Sequence, residues 1–227
     1  MVNQILDITG LIEESMWSYP PPVTRPAIER IASLDGADGW DAHRMTLCTL
    51  TGTYLEASAH LLVNGETIDH VAPERFIRPA TVLQLPDCAP GYPITPDDLA
   101  AAATDTAPRR GDALLVATGW DRMWNQPRFV QDSPHFTSSA MAWLVDTGAT
   151  VIGGDVPCFD DPAHPVGVNK LLFGAGSLIL APLVKLRQAT RRDLLLIALP
   201  LRVKGVCGTP CRALLVSQDL NFGQRAP

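Results

Sequence analysis

The sequence predicts a single α/β domain. Its 227 residues are enough for one sizeable core. Apolar residues make up 46% and charged residues 19%, the balance of a folded globular chain. Short β-prone segments outnumber helical ones and mix with them along the chain, which suits an α/β layer arrangement better than an all-α or all-β one.

The elements follow in order. Ile5 to Ile8 is a short strand candidate. The run Tyr19-Pro20-Pro21-Pro22 with Pro26 makes residues 1–30 an expected extended, proline-rich arm, because proline fixes φ and removes a donor. Met45 to Thr53 is β-prone around Gly52, and Ala80 to Leu85 reads as a strand. Thr95 can cap a helix that opens at Pro96 and continues to Thr104, with Asp98 near its positive end. Asp112 to Thr118 reads as a buried strand, Ser138 to Asp146 as a helix closed by Gly148, and Val151 to Gly154 as a strand. Val168 to Phe173 is helical, stopped by Gly174 and Gly176. Ser177 to Ala181, Leu194 to Leu199 and Ala213 to Ser217 complete the strands. No internal repeat divides the chain, so one domain over 1–227 is expected.

Composition excludes several function classes. A net charge of −6 and the absence of a basic run give no electrostatic reason to expect nucleic acid or an anionic membrane. No stretch of about 18 apolar residues is present to span a bilayer. The acidic, mixed start lacks the basic n-region of a signal peptide. The five cysteines, Cys48, Cys88, Cys158, Cys207 and Cys211, are odd in number and scattered, unlike a secreted disulfide framework. The expectation is a cytoplasmic protein with reduced thiols and a small-molecule substrate.

The densest polar cluster runs from Thr51 to His60. In an extended chain alternate residues share a face, so Tyr54, Glu56, Ser58 and His60 would point the same way. A phenol, a carboxylate, a hydroxyl and an imidazole can together accept, relay and donate protons. A solvated strand face alternates in the same manner, and spacing alone does not separate the two readings.

This cluster resembles the motif H-x-G-T-H-x-D-x-P-x-H of the cyclase family typified by bacterial kynurenine formamidase. Laid from Leu50 to His60, Gly52, Thr53 and His60 match and Glu56 replaces the aspartate; Leu50, Tyr54 and Ser58 depart from it. Further signposts fall in the family's order. They are Leu6-Asp7-Ile8-Thr9 with Met16-Trp17 and Tyr19-Pro20, then Glu74-Arg75-Phe76 with Pro79-Ala80, then Thr118-Gly119-Trp120. Gly154-Asp155-Val156-Pro157, Lys170-Leu171-Leu172 with Gly174 and Gly176, and Pro200-Leu201 with Gly208-Thr209-Pro210-Cys211-Arg212 follow. The resemblance implies a swivelling β/β/α-type fold around a barrel-like mixed sheet. It also implies a homodimer or homotetramer, with the arm around Pro20 to Pro26 reaching a neighbour.

The resemblance implies a two-metal site as well, but the ligand positions have changed. The family's first two motif histidines fall at Leu50 and Tyr54, its later histidine at Asn169 and its glutamate at Ala181. Leucine and alanine cannot ligate, and asparagine and neutral tyrosine are poor substitutes. With Glu56 and His60 alone remaining, neither a metal nor another cofactor is expected. His60 holds the place of the family's proton-transfer histidine, and its unperturbed pKa lies close to neutrality. Glu56 would orient it or share its proton, and Tyr54, with Ser58 behind it, would donate to an oxyanion. Trp17, Tyr19 and Trp120 are candidates to line a pocket for a flat substrate, with Asn169 beside them; Trp120 reads equally as core.

The other candidates have plainer readings. His43, His70, His135 and His164 read as surface histidines, although His164 would refill the Asn169 position if the loop slipped. Cys207 and Cys211 read as part of a structural turn rather than a metal clip. Cys158 reads as a nucleophile only if a base lies near it. Asp155 reads as a structural hydrogen-bonding residue.

Three functions follow. The first is metal-independent acid/base catalysis on a small carbonyl-containing ring compound, by ring closure, dehydration or isomerisation. The second is an amidohydrolase or lactonase with His60 as base toward water, weakened by loss of the Lewis acid. The third is a non-catalytic binding protein, favoured if His60 is buried and tied to the backbone.

Overall fold

The computed structural model describes residues 5–36, 39–104 and 107–220. Among these residues twelve strands and three α-helices follow in chain order. They begin with β1 (Ile5–Asp7), β2 (Ala27–Ala32), β3 (Ala42–Thr46), β4 (Tyr54–Glu56), β5 (Ile77–Gln84) and β6 (Pro93–Ile94). Then come α1 (Pro96–Ala103), β7 (Ala113–Ala117), β8 (His135–Phe136), α2 (Ser138–Asp146) and β9 (Val151–Gly154). The chain ends with α3 (Val168–Gly174), β10 (Leu178–Ala181), β11 (Leu194–Pro200) and β12 (Gly208–Ser217).

The main sheet runs β1-β12-β11-β5-β7-β9-β10-β4, and β4 pairs also with β12. That extra pairing closes seven strands into a mixed barrel with β1 added outside the ring, the barrel-like α/β architecture expected. Its β5, β7, β9 and β10 run parallel, and the remaining pairings are antiparallel.

Alternation along the strands divides two cores. On β7, Leu114 and Val116 join the cluster that includes helix residues Leu99, Met141, Leu144 and Leu172. Ala113, Leu115 and Ala117 join the opposite cluster with Leu55, Leu180, Leu196 and Leu215. A strand buried on both faces reads as a continuous apolar run, which is why Ala113 to Ala117 was legible.

The helices form where the sequence places their caps. Thr95 and Asp98 make a reciprocal capping box with Pro96 just inside α1. The Thr137 side chain accepts from the Ala140 amide at the start of α2.

Two expectations change, and one hairpin is new. The β-prone Met45 to Thr53 is a strand only to Thr46; its later part is turned, with the Thr51 amide donating to the Cys48 carbonyl and Gly52 at a φ of 67°. The hairpin of β2 and β3 carried no clear sequence signal. Of the arm expected over residues 1–30, residues 1–4 lie outside the described residues; in the remainder β1 pairs with β12, and Ile8, Met16 and Trp17 are core residues. The exposed proline stretch is limited to the neighbourhood of Pro20–Pro22.

Candidate functional site

The short strand β4 is the seam of the barrel. Its register sets Tyr54 opposite Ala181 and Pro210, and Glu56 opposite Ile179 and Gly208. Directly opposed residues point to the same face. Tyr54, Glu56, Ile179 and Ala181 therefore form one wall, and Leu55 between them faces the inner core. The wall bounds a cavity of about 280 Å³, closed by the 157–165 loop and by Asn169 at the start of α3.

The residues before β4 anchor it. Thr53 is buried; its hydroxyl donates to the carbonyl of Pro182 at 2.6 Å and accepts from the amide of Gly10 at 2.9 Å. A Cβ on Gly52 would lie 2.8 Å from Ile12 Cγ1, and its positive φ already disfavours other residues. The Gly-Thr pair is thus structural, and it fixes where Tyr54 and Glu56 point.

Glu56 and His60 meet in the cavity wall. After Glu56 the chain turns into a 3-10 helix over Ser58–His60, so the extended alternation expected from Tyr54 to His60 ends at β4. The turn brings Nδ1 of His60 to 3.1 Å from Oε1 of Glu56. Ser58 does not join them: its hydroxyl accepts from the Glu66 amide and holds the turn. Glu56 is 4% exposed, and its Oε1 has no hydrogen bond of acceptable geometry despite the close imidazole. Burial pushes the Glu56 carboxyl up to about 8. Burial also lowers the pKa of His60. Both shifts favour the neutral forms, so a protonated carboxylic acid stands beside a neutral imidazole at neutral pH.

Two phenols complete this side. The Tyr19 hydroxyl donates to the Pro157 carbonyl at 2.6 Å and lies 2.8 Å from the Tyr54 hydroxyl. Burial holds both phenols well above their ordinary pKa. Tyr54 therefore stays protonated and donates its hydrogen bond to Tyr19, which corrects its expected role as a ready oxyanion donor.

The remaining candidates separate. Asn169 lines the cavity, and its buried Oδ1 has no hydrogen-bond partner among the described residues. Trp17 and Trp120 do not line it. Both are core residues: Trp17 packs edge-on against Tyr19 and Trp124, and the Trp120 indole donates to the Phe129 carbonyl. His164 has a side chain 87% exposed and does not refill the Asn169 position. His43 and His70 are exposed. Cys158 lines the cavity, with its thiol pushed by burial to about 12, far from a thiolate nucleophile.

Asp155 is structural. It is fully buried and accepts from the Thr118 amide and hydroxyl and from the Gly119 amide, at 2.7 to 3.0 Å. Burial raises its pKa to about 6 against the pull of these bonds. The Thr118-Gly119-Trp120 and Gly154-Asp155-Val156-Pro157 signposts are thus two halves of one junction.

Sequence reasoning read Cys207 as part of a structural turn and did not place it beside His60. Its Sγ lies 3.6 Å from Nδ1 of His60, because Gly208 pairs with Glu56 across the seam. Only the register of β12 against β4 reveals this, and no local signal in the sequence carries it. Pro157 and Asp160 also line the cavity unforeseen.

The four changed ligand positions, Leu50, Tyr54, Asn169 and Ala181, do gather around this cavity. Leu50 and Ala181 offer no donor atom, and the Tyr54 hydroxyl is hydrogen-bonded to Tyr19. These residues do not fit the two-metal arrangement that the resemblance implies.

Comparison with known proteins agrees with the architecture. Residues 6–161 match the family model described as putative cyclase. The chain is 28% identical over 210 residues to kynurenine formamidase from Bordetella pertussis, covering 88% of this chain and 97% of that protein. Isatin hydrolase A from Ralstonia solanacearum superposes with a TM-score of 0.84 at 24% identity, covering 94% of this chain and 92% of that one. A structure described as a novel cyclase superposes with a TM-score of 0.78 at 16% identity, covering 94% and 88%.

Proposed function

Because this chain belongs to the putative cyclase family, we propose that it is a metal-independent enzyme that moves protons on a small, carbonyl-containing ring compound. One observation carries this reading: the Glu56 carboxyl and the His60 imidazole stand 3.1 Å apart in the wall of a cavity, where burial favours the neutral form of each. Glu56 would give its proton to a carbonyl oxygen as charge develops there. His60 would take one from the attacking group or from the carbon beside the carbonyl. Ring closure, dehydration and isomerisation need only these transfers. Tyr19, Phe159, Pro157 and Pro162 offer flat apolar walls, and about 280 Å³ suits a small metabolite.

A second reading is hydrolytic opening of a ring amide or lactone, with His60 as base toward water. The relatives named kynurenine formamidase and isatin hydrolase favour it. A purely binding role is less favoured, because Nδ1 of His60 faces the Glu56 and Cys207 side chains rather than a backbone carbonyl.

The same reading carries assembly as a homodimer or homotetramer. The β2–β3 hairpin and its turn supports this with exposed Ile31, Leu34, Trp40 and Met45. Sedimentation measures it directly. Among the described residues no helix is long and apolar enough to cross a membrane.

The test is turnover by chelator-treated protein on aryl formamides, cyclic amides, lactones and open-chain carbonyl precursors. His60→Ala and Glu56→Gln should each lose about 10²-fold or more on whichever class reacts. Full turnover in His60→Ala overturns the acid/base assignment, and activity that disappears on chelation overturns metal independence.

A further inference from the structure

We propose that Glu56, His60 and Cys207 form a three-ligand site for a borderline-soft divalent cation of the zinc class, one that keeps only the carboxylate position of the family motif's ligands and adds His60 and Cys207. Oε1 of Glu56, Nδ1 of His60 and Sγ of Cys207 all lie within 4.8 Å of one another. The nitrogen stands 3.1 Å from the oxygen and 3.6 Å from the sulfur. Tetrahedral zinc, with bonds of about 2.0–2.3 Å, sets such neighbouring ligand atoms roughly 3.3 to 3.6 Å apart. His60 Nδ1 is therefore already spaced from both partners close to adjacent vertices around an ion, and the oxygen and sulfur lie within 4.8 Å of each other.

Burial supplies an independent reason. Glu56 is 96% covered, and its Oε1 faces this cluster without a hydrogen-bond partner. A buried polar atom in that state needs a physical account, and a cation supplies one. Sulfur, nitrogen and a single carboxylate oxygen suit zinc better than magnesium or calcium, which take oxygen ligands.

The backbone holds the three ligands in place. The Ala57 amide donates to the Cys207 carbonyl at 2.7 Å, and Gly208 pairs with Glu56. A Cβ on Gly208 would lie 2.6 Å from the Leu55 carbonyl oxygen, so only glycine lets β12 approach β4 this closely. His60 is returned to the pair by the turn that Ser58 and Glu66 tie. Glu56 and His60 line the cavity, which leaves the fourth vertex to water or a ligand from it. Binding forms a thiolate at Cys207 and a carboxylate at Glu56, and both protons are released to solvent. It also occupies the two groups assigned above to proton transfer, so loaded and metal-free protein would differ in chemistry. The site does not rest on that assignment, and its test reads binding rather than turnover.

The experiment uses full-length, reduced, chelator-stripped protein titrated with cobalt(II), the spectroscopic stand-in for zinc. One equivalent should bind with a thiolate-to-cobalt charge-transfer band in the near ultraviolet, bleached by zinc. Cys207→Ser should lose the band and bind zinc at least about tenfold more weakly. Cys158→Ser, which changes the thiol lining the cavity, should keep both. A parent without the band, or a band that survives in Cys207→Ser, overturns the site. Alkylation of the parent, mapped by mass spectrometry, needs no variant to fold. Stoichiometric zinc should protect Cys207, and unchanged labelling there also overturns the proposal.

Discussion

Tyr19 donates its hydroxyl proton to the Pro157 carbonyl, so the bond between the two buried phenols runs from Tyr54 to Tyr19. A phenol carries one proton, and that proton is already committed. The pair ties the N-terminal segment to β4 and to the loop that closes the cavity. Tyr54 is left with lone pairs rather than a free proton, and so serves a bound molecule first as an acceptor.

The direction of that bond predicts unequal costs. Tyr19→Phe strands both the Pro157 carbonyl and the Tyr54 hydroxyl, whereas Tyr54→Phe breaks one bond and leaves Tyr19 bonded to Pro157. Each lost buried partner costs about 1–3 kcal/mol. Urea unfolding should therefore find Tyr19→Phe less stable than Tyr54→Phe by about 1 kcal/mol or more. The reverse order contradicts the assigned direction.

Glu56 predicts a pH dependence of stability. Its folded pKa of about 8 lies above the ordinary 4.5, so the folded state binds the proton more tightly than the unfolded one. Its contribution is complete below pH 4.5 and is lost as pH rises through 8. Glutamine cannot ionise. Glu56→Gln should thus melt close to the parent at pH 5 and above it at pH 9. His60 works in the opposite sense, its lowered pKa costing stability as pH falls below 6.5, and it is unchanged in this comparison. Parallel melting curves for the two proteins across that range would show that Glu56 is not held neutral.

How much of this was legible in the sequence depended on what positions each residue. Ala113 to Ala117, buried on both faces, and α1, with its capping box, are set by local pattern and could be read directly. The β12 strand begins five residues before the expected Ala213, since Gly208, Thr209 and Pro210 read locally as a turn. Pairing with β4 overrides that preference. The place of Cys207 beside His60 was invisible for the same reason: its neighbour is 147 positions away. Glu56 and His60 were found as a pair, though by the wrong geometry. A 3-10 turn, not strand alternation, brings them together. Trp17 and Trp120 could not be told from core by residue type, since a buried indole serves either role.

Thr53 predicts that the motif's structural half is energetically expensive to change. Its buried hydroxyl links Gly10, β4 and Pro182. Thr53→Val keeps the shape but strands a buried amide and a carbonyl, at about 1–3 kcal/mol each. Thr53→Ser keeps both bonds and should lose less than half as much. Denaturant midpoints for the two variants test this, and equal losses would assign the role of Thr53 to packing instead.

Asp155 makes the sharpest case for a carboxylate that supports the site without reacting. Its oxygens accept from Thr118 and Gly119 at the turn that follows β7, and Asp155 itself leads into the loop closing the cavity. Asn is nearly isosteric, but it turns one acceptor into a donor facing another donor. Asp155→Asn should lose on the order of 3 kcal/mol or more, since more than one buried bond fails together. Thr118→Val removes a single hydroxyl donor and should lose about 1–2 kcal/mol. The two changes share a partner, so the double variant should lose less than the sum of the single losses. Additive losses in chemical denaturation would mean that the junction is not one network and that Asp155 acts elsewhere.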